Sequence, residues 1–336
     1  MSSIKEVVPN LFMITQTIKN RFFKFSVNIY VVAGKDGLIF DSGYGTRKER
    51  TNLIKNVHAI SNLKKSRGEV CTITRAIASH GHWDHFSGLG HLQNVLDLDI
   101  LATPKQAEKI GSKKTYKELF WGNSTLVNHP ASKFLNIRQK IFNNLVSEIV
   151  MRLFNVCFVS GDINIIDENT QLSINGETWQ IIHVPGHSDD DIVLYNMKKG
   201  VLLGGDIIFR KIPTWLGPPK SDLNAYLNSL EHLLELPNLK LIFPAHGRPI
   251  ENPGQRIQEI IDHHIKRTEE LLQLILKSGQ NGLTYKKILY KFYPKAGVLK
   301  KDMLGGWILV TLQYLLNKGD VIKMFKKQKI VFLART

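Results

Sequence analysis

The first hundred residues alternate short apolar runs with turn residues. Asn28–Val32 (Asn-Ile-Tyr-Val-Val), the turn Gly34-Lys35-Asp36-Gly37 and Leu38–Phe40 predict a β-hairpin, because β-branched and aromatic residues are bounded by Gly and Asp. After Asp41-Ser42-Gly43 a helical stretch leads to the apolar strand Arg75–Ala78, and Leu101-Ala102-Thr103 closes another strand-like run. From about residue 105 to 154 the period changes. Lys105–Phe120 has helical character, and Phe134, Ile137, Ile141, Leu145, Ile149 and Leu153 recur at three- and four-residue steps. This reads as a helical insertion between β elements; packing is the default role for such a stripe, with a lid or a dimer surface as alternatives. The β pattern returns from Asn155 to Ile208, with turns at Asn175-Gly176 and near Lys199-Gly200. A helix at Ser221–Leu236 and a strand at Leu239–Pro244 follow.

The tail has its own organisation. Ile257, Ile261, His264, Ile265, Thr268, Leu272 and Ile275 follow the helical period and stop at Gly279. Thr284 can cap a second helix, a third spans about Asp302 to Asn317, and Val321–Phe325 and Ile330–Leu333 flank a basic turn. Three helices and a terminal hairpin form the pattern of a winged-helix module. The chain therefore divides, on sequence, into residues 1–255 and a small tail of 256–336.

Candidate chemistry is concentrated in Ser79-His80-Gly81-His82-Trp83-Asp84-His85, directly after an apolar strand. Imidazole and carboxylate are the ligands that suit zinc, iron or manganese. Histidines two apart project to the same side of an extended segment, and Asp84 and His85 can then turn the chain to serve a second centre. A lone histidine is more often a satisfied polar residue. A cluster this dense is costly to bury without a metal to compensate.

The pattern HxHxDH, here His80 to His85, resembles the signature of the metallo-β-lactamase-like hydrolases. Its companions follow in the order of that superfamily: Asp41 in Phe40-Asp41-Ser42-Gly43, His187 in Pro185-Gly186-His187-Ser188, Asp206 in Gly204-Gly205-Asp206, and His246 in Pro244-Ala245-His246-Gly247. The resemblance covers about residues 5 to 250 and implies an α+β fold, an αββα sandwich of two sheets face to face with helices outside. It implies one metal on His80, His82 and His187, a second on Asp84, His85 and His246, and Asp206 bridging the two with a water or hydroxide. Two divalent ions are implied, zinc first, with iron or manganese as alternatives. Asp84 is implied to orient the nucleophile and to shuttle a proton. Asp41 is implied as a carboxylate that orients a ligand histidine.

The same resemblance prunes the branches. His82 stands where flavodiiron relatives carry Glu, and the stretch after Asp206 is too short for a β-CASP insertion. An intact Asp84 and the absence of a charged-then-apolar leader in Met1–Pro9 disfavour a periplasmic β-lactamase. Three readings remain. The first is hydrolysis of an ester, thioester or lactone of a small, anionic substrate, as in the glyoxalase II and lactonase branches. The second is cleavage of single-stranded RNA, because the core plus winged-helix-like tail resembles the β-lactamase-like-protein-2 branch. The third is a mononuclear iron persulfide dioxygenase, which a complete second-site set argues against.

Weaker features are weighed against packing, the usual role of buried aromatics. Phe120 and Trp121 could line a lid, with His129 and Phe134 beside them. Trp215 could form a pocket wall, and His264, on the apolar face of the tail helix, could touch substrate. Asp189, Asp190 and Asp191 read as a solvated turn, and His183 as a core or supporting residue.

Bulk composition changes this picture in one respect. A net charge of +16 favours acidic partners such as nucleic acid or a phosphate- or carboxylate-bearing substrate. Two cysteines, Cys71 and Cys157, read as small buried hydrophobes and fit a cytoplasmic setting. No apolar run approaches the roughly 20 residues that span a bilayer.

Overall fold

The computed structural model describes residues 3–19, 24–120, 145, 147–167, 170–326 and 329–335. Trp121, His129, Phe134, Ile137 and Ile141 of the insertion lie outside them.

Four layers build the fold. The first sheet carries β1 (Ser3–Val8), β2 (Leu11–Lys19), β3 (Lys24–Val32), β4 (Gly37–Phe40), β5 (Ile73–Ile77), β6 (Asp99–Ala102) and β7 (Ile163–Ile165) in chain order. Pairing is antiparallel up to β4 and parallel from β4 to β7. The expected hairpin is present: Tyr30 faces Phe40 and Val32 faces Leu38. The second sheet holds β8 (Gln171–Ile174), β9 (Glu177–His183), β10 (Ile192–Asn196), β11 (Val201–Gly205) and β12 (Leu241–Pro244), ordered β12-β11-β10-β9-β8.

Strands β4, β10, β11 and β12 read as continuous apolar runs because both their faces are covered, whereas the edge strand β8 alternates exposed and buried positions. Between the sheets lie Leu11, Tyr30, Leu38, Phe40 and Ile77 from one side and Trp179, Ile181, Leu194, Leu203 and Phe243 from the other. Helices α1 (Arg47–Ser66), α2 (Trp83–Phe86) and α3 (Leu89–Leu96) follow in the chain. Leu53, Val57 and Ile60 of α1, with Leu89 and Leu92 of α3, cover the outer face of the first sheet at Phe12, Ile14, Ile29, Val31 and Ile39. Residues 105–120 form α4 (Pro104–Ile110) and α5 (Lys113–Phe120), and residues 147–153 are helical. On the far side, α6 (Leu223–Leu234) and the first half of α7 (Pro253–Leu276) cover Ile182, Val193, Leu202 and Ile242 through Leu223, Tyr226, Leu230, Ile257 and Ile260.

The second half of α7 enters a different core. Leu271 and Ile275 pack with α8 (Tyr285–Phe292), α9 (Val298–Lys318) and the hairpin β13 (Val321–Lys326)–β14 (Lys329–Ala334) through Ile288, Ile308, Leu312, Val321 and Phe332. Two helices thus belong to both cores, α7 along its length and α9 through Val310. Among the described residues no helix is long and apolar enough to cross a membrane.

Strand direction fixes where the polar loops gather. β4 and β5 run parallel, as do β11 and β12, and β9 and β11 flank β10 antiparallel and so share a direction. Asp41, His80, His187, Asp206 and His246 each follow the carboxyl end of one of these strands. Backbone bonds stitch the two sheets at that edge: Ile192 N–H to Ser79 O at 2.8 Å and Asn28 N–H to Ala245 O at 2.7 Å.

Candidate metal centre

β5 delivers the chain into an extended segment, and α2 then closes it with one helical turn. Two-residue spacing brings the His80 and His82 rings to 4.3 Å between centroids, and the helical turn swings His85 to 4.2 Å from His80. From the second sheet, His187 arrives 5.0 Å from His80 and 4.6 Å from His82. Gly205 has φ +49°, a conformation that costs glycine little, and a Cβ there would lie 2.7 Å from Ser79 Cβ. That close approach places Asp206 against the histidine loop.

Two groups of ligand atoms result. Those of His80, His82, His187 and Asp206 lie within 4.8 Å of one another, as do those of Asp84, His85 and His246. Asp206 reaches both. Its Oδ2 is 3.7 Å from His187 Nε2, while Oδ1 is 3.5 Å from His85 Nε2 and 3.4 Å from His246 Nε2. Asp84 spans its own group, 3.7 Å from His85 Nε2 and 3.5 Å from His246 Nε2.

The outer nitrogens are held by the fold. His187 Nδ1 lies 2.7 Å from the Trp215 carbonyl, and His246 Nδ1 lies 2.5 Å from the Ser26 carbonyl. His85 Nδ1 lies 3.0 Å from Asp41 Oδ2, and His80 Nδ1 is 3.0 Å from Ser79 Oγ. Nε2 of each ring is thereby aimed inward. His82 alone differs, its Nδ1 lying 3.0 Å from His187 Nε2. His80 Nε2, His85 Nε2 and Asp206 Oδ1 are buried with no hydrogen-bond partner among the described residues. Leaving such atoms unmet costs about 1–3 kcal/mol each, and a divalent cation between them would remove that cost. Orphaned acceptors converging from imidazole and carboxylate fit a metal.

Electrostatics separates the two groups. Burial, reinforced by neighbouring histidines, pushes His80 and His82 well below the ordinary range, and burial also lowers His187. Burial acts the same way on His85 and His246. There the carboxylates win: Asp41, Asp206 and Asp84 hold His85 well above the usual value, and Asp206 and Asp84 bring His246 up to about 9. The carboxylates respond in kind. Burial would raise Asp84 and Asp206, yet His85 and His246 keep Asp84 low, and His246, His85 and His187 keep Asp206 lower still.

The turn after His187 departs from its sequence reading. Asp190 and Asp191 are buried, not solvated. Asp190 Oδ2 accepts the Gly81 N–H at 2.9 Å, between two of the clustered histidines, and Asp191 Oδ1 stands 3.6 Å from His80 Nδ1. Lys109 and Gln106 on α4 complete this support. Lys109 Nζ donates to Ser188 Oγ, Asp189 Oδ1 and Asp190 Oδ1 at 3.0, 2.6 and 2.6 Å. Gln106 Nε2 donates to the carbonyls of Ala78, Ser79 and Asp190. A spacing motif names ligands, whereas these residues act across elements distant in sequence. His183 bonds the Asp189 carbonyl through Nε2 at 3.2 Å.

The weaker candidates scatter. Trp215 is 46% exposed with its ring centroid 6.4 Å from that of His187, at the edge of the centre. His264 is buried against Tyr226 and belongs to neither ligand group. Phe120 ends α5, its side chain outside the described residues, as is Trp121. Cys71 is buried as expected, but Cys157 is half-exposed beside Asn155.

Comparison with known proteins agrees with this geometry. The family model of the metallo-beta-lactamase superfamily matches residues 23–246. A probable metallo-hydrolase, YqjP, of Bacillus subtilis is 25% identical over 82% of this chain and 83% of its own. The human acyl-coenzyme A thioesterase MBLAC2 is 23% identical over 68% of this chain and 76% of its own. A metallo-beta-lactamase family protein of Thermus thermophilus superposes with a TM-score of 0.70 at 20% identity, covering 98% of this chain and all of that one, tail included. With the motifs, the sandwich and the convergent ligand atoms in agreement, the chain belongs to the metallo-beta-lactamase superfamily and is a metal-dependent hydrolase.

Proposed function

We propose that this hydrolase carries two metal ions and cleaves the acyl bond of a small anionic substrate, an ester or lactone in general terms and a thioester in particular. The observation that carries the reading is Asp206, one carboxylate whose two oxygens face separate histidine groups. His80, His82, His187 and Asp206 would hold one divalent cation, and Asp84, His85, His246 and the other Asp206 oxygen a second. Zinc suits this mixture of imidazole and carboxylate. When bound, such ions polarise a carbonyl and make water acidic enough to supply hydroxide near neutral pH.

The chain's own residues supply orientation and proton transfer. Asp84 is the most accessible carboxylate of the centre, and His85 and His246 keep it ionised at neutral pH. It is placed to accept a proton from attacking water and to pass it to a departing thiolate. Asp41, fully buried, holds His85 by its outer nitrogen. The loops after Asp206 and His246 mix chemistries: Ile212 and Trp215 expose apolar surface, and Arg210, Lys211 and Arg248 are exposed cations on the same loops. An apolar acyl group on an anionic carrier fits that mixture. The thioesterase names carried by MBLAC2 and by an atrochrysone carboxyl ACP thioesterase of Aspergillus fumigatus, 23% identical over 73% of this chain, support it further.

The test is metal analysis followed by a panel of acyl thioesters, lactones, phosphodiesters and short RNAs. Two equivalents of zinc per chain and thiol release from acyl thioesters are expected. Asp206→Asn is expected to lose one equivalent and at least about a hundredfold in kcat. One tightly bound ion in the active wild type, or turnover of RNA alone, would overturn the reading.

A further inference from the structure

The segment after Asp206 is tied to the centre at several points. Thr214 Oγ1 donates to the Asp206 carbonyl at 2.7 Å, and the Trp215 carbonyl holds His187 Nδ1. Ser221 Oγ donates to the His187 carbonyl at 2.7 Å while accepting the Gly217 N–H at 2.9 Å. One loop therefore braces two metal-facing residues.

Its other side rests on the tail. A Cβ at Gly306 of α9 would lie 3.0 Å from the Leu216 carbonyl oxygen, 3.1 Å from Gly217 Cα and 3.3 Å from Trp215 Cζ2. These are tighter than most contacts, and two of them are to backbone, so a side chain at Gly306 would push the loop by a few tenths of an ångström. Leu216 is buried in the same core as Val310 of α9. Within the loop the indole of Trp215 lies across Gly217, where a Cβ would come within 2.2 Å of Cζ2. The tail thus backs a loop whose outward face is a half-exposed aromatic and whose inward carbonyl orients a ligand histidine.

We propose that α9 sets the position of the Trp215 loop, making the tail a working part of the hydrolytic site. Gly306 is its positioning residue, and Trp215 is the surface that meets the apolar part of an acyl substrate. The acyl contact rests on the thioester reading; the link from Gly306 to His187 does not. The two halves call for different substitutions. Trp215→Ala removes the ring but keeps the carbonyl that holds His187. Gly306→Ala moves the backbone and disturbs both.

Zinc affinity is measured by competition with a chromophoric chelator. The Trp215 environment is read by acrylamide quenching, taken as the difference from Trp215→Phe, and kcat and KM are measured for short- and long-chain acyl thioesters. Gly306→Ala is expected to weaken zinc about tenfold, to change Trp215 quenching and to raise KM for long chains. Trp215→Ala should leave zinc affinity intact and raise the long-chain KM roughly tenfold more than it raises the short-chain KM. Gly306→Ala with native zinc affinity and native quenching would overturn the tail's role. An unchanged chain-length profile in Trp215→Ala would overturn the acyl contact. Should Gly306→Ala fail to fold, Val310→Ala, which thins the core shared with Leu216, is measured by the same readouts, and native values there would equally overturn the tail's role. If the wild type hydrolyses no thioester, the substrate reading fails while zinc affinity and quenching still decide the tail's part.

Discussion

At the scale of single residues, histidines show how far spacing informs. His80, His82 and His85 were legible because two-residue spacing and one helical turn leave their rings little choice of direction. Asp190 and Asp191 were not, since an acidic turn reads as solvated unless one knows what lies over it. His264 follows a helical stripe, and the period correctly places it inward without naming its environment. Its ring packs edge-on to Tyr226 at 5.4 Å, and neither ring nitrogen has a hydrogen-bond partner among the described residues. Burial, with smaller effects from His263 and Arg267, lowers it to about 4. Above pH 6.5, the ordinary histidine value, it is neutral whether folded or unfolded. As pH falls from 6.5 towards 4, the unfolded chain takes up a proton that the folded chain refuses, so stability declines by about 1.4 kcal/mol per pH unit. The loss reaches on the order of 3 kcal/mol at pH 4. Replacing His264 with Leu should flatten that part of the profile, so the urea midpoints of the two proteins should converge or cross below pH 6. Parallel profiles for wild type and variant across pH 7 to 4.5 would rule this out.

At the scale of elements, α4 carries a role that periodicity could not convey. Its sequence is plainly helical: Thr103 caps it in a reciprocal box with Gln106, and Pro104 starts it. What the period cannot say is which distant loop its inner face meets. Here that loop follows β9, and Lys109 is clamped there by three oxygens. Although burial opposes its charge, Asp190 and Asp189 hold its pKa above the ordinary lysine value. Lys109→Met would leave Asp190 buried without its cation, a change that typically costs about 3–5 kcal/mol. Guanidinium unfolding should register that loss, and zinc should dissociate faster because Asp190 also fixes Gly81. A cost under about 1 kcal/mol would instead mark a solvated, weak ion pair. The strands were easier. The central strands are covered on both faces, so apolar runs announce them, and the polar residues that interrupt those runs mark the edge where the candidate metal ligands gather.

At the scale of the whole molecule, net charge is the property that sequence states most plainly and explains least. A value of +16 fits a polynucleotide or a small anionic carrier equally well. The two differ in how many phosphates are engaged at once. A protein gripping six to ten phosphates of a nucleic acid loses roughly 10³–10⁵ in affinity between 50 and 200 mM salt. The loops that follow Asp206 and His246 carry three exposed cations, Arg210, Lys211 and Arg248, together with the exposed apolar surface of Ile212 and Trp215. One to three phosphate contacts, each contributing a salt exponent of about 0.7, would raise KM roughly 3- to 20-fold over the same fourfold rise in salt. Since salt acts here on association and not on the bound complex, kcat should stay constant. Initial rates on an anionic acyl thioester at 50, 100 and 200 mM salt give both numbers. A KM indifferent to salt would detach the surface charge from the reaction, and a loss of a thousandfold would mean that the basic surface grips a polymer and that the acyl reading is wrong.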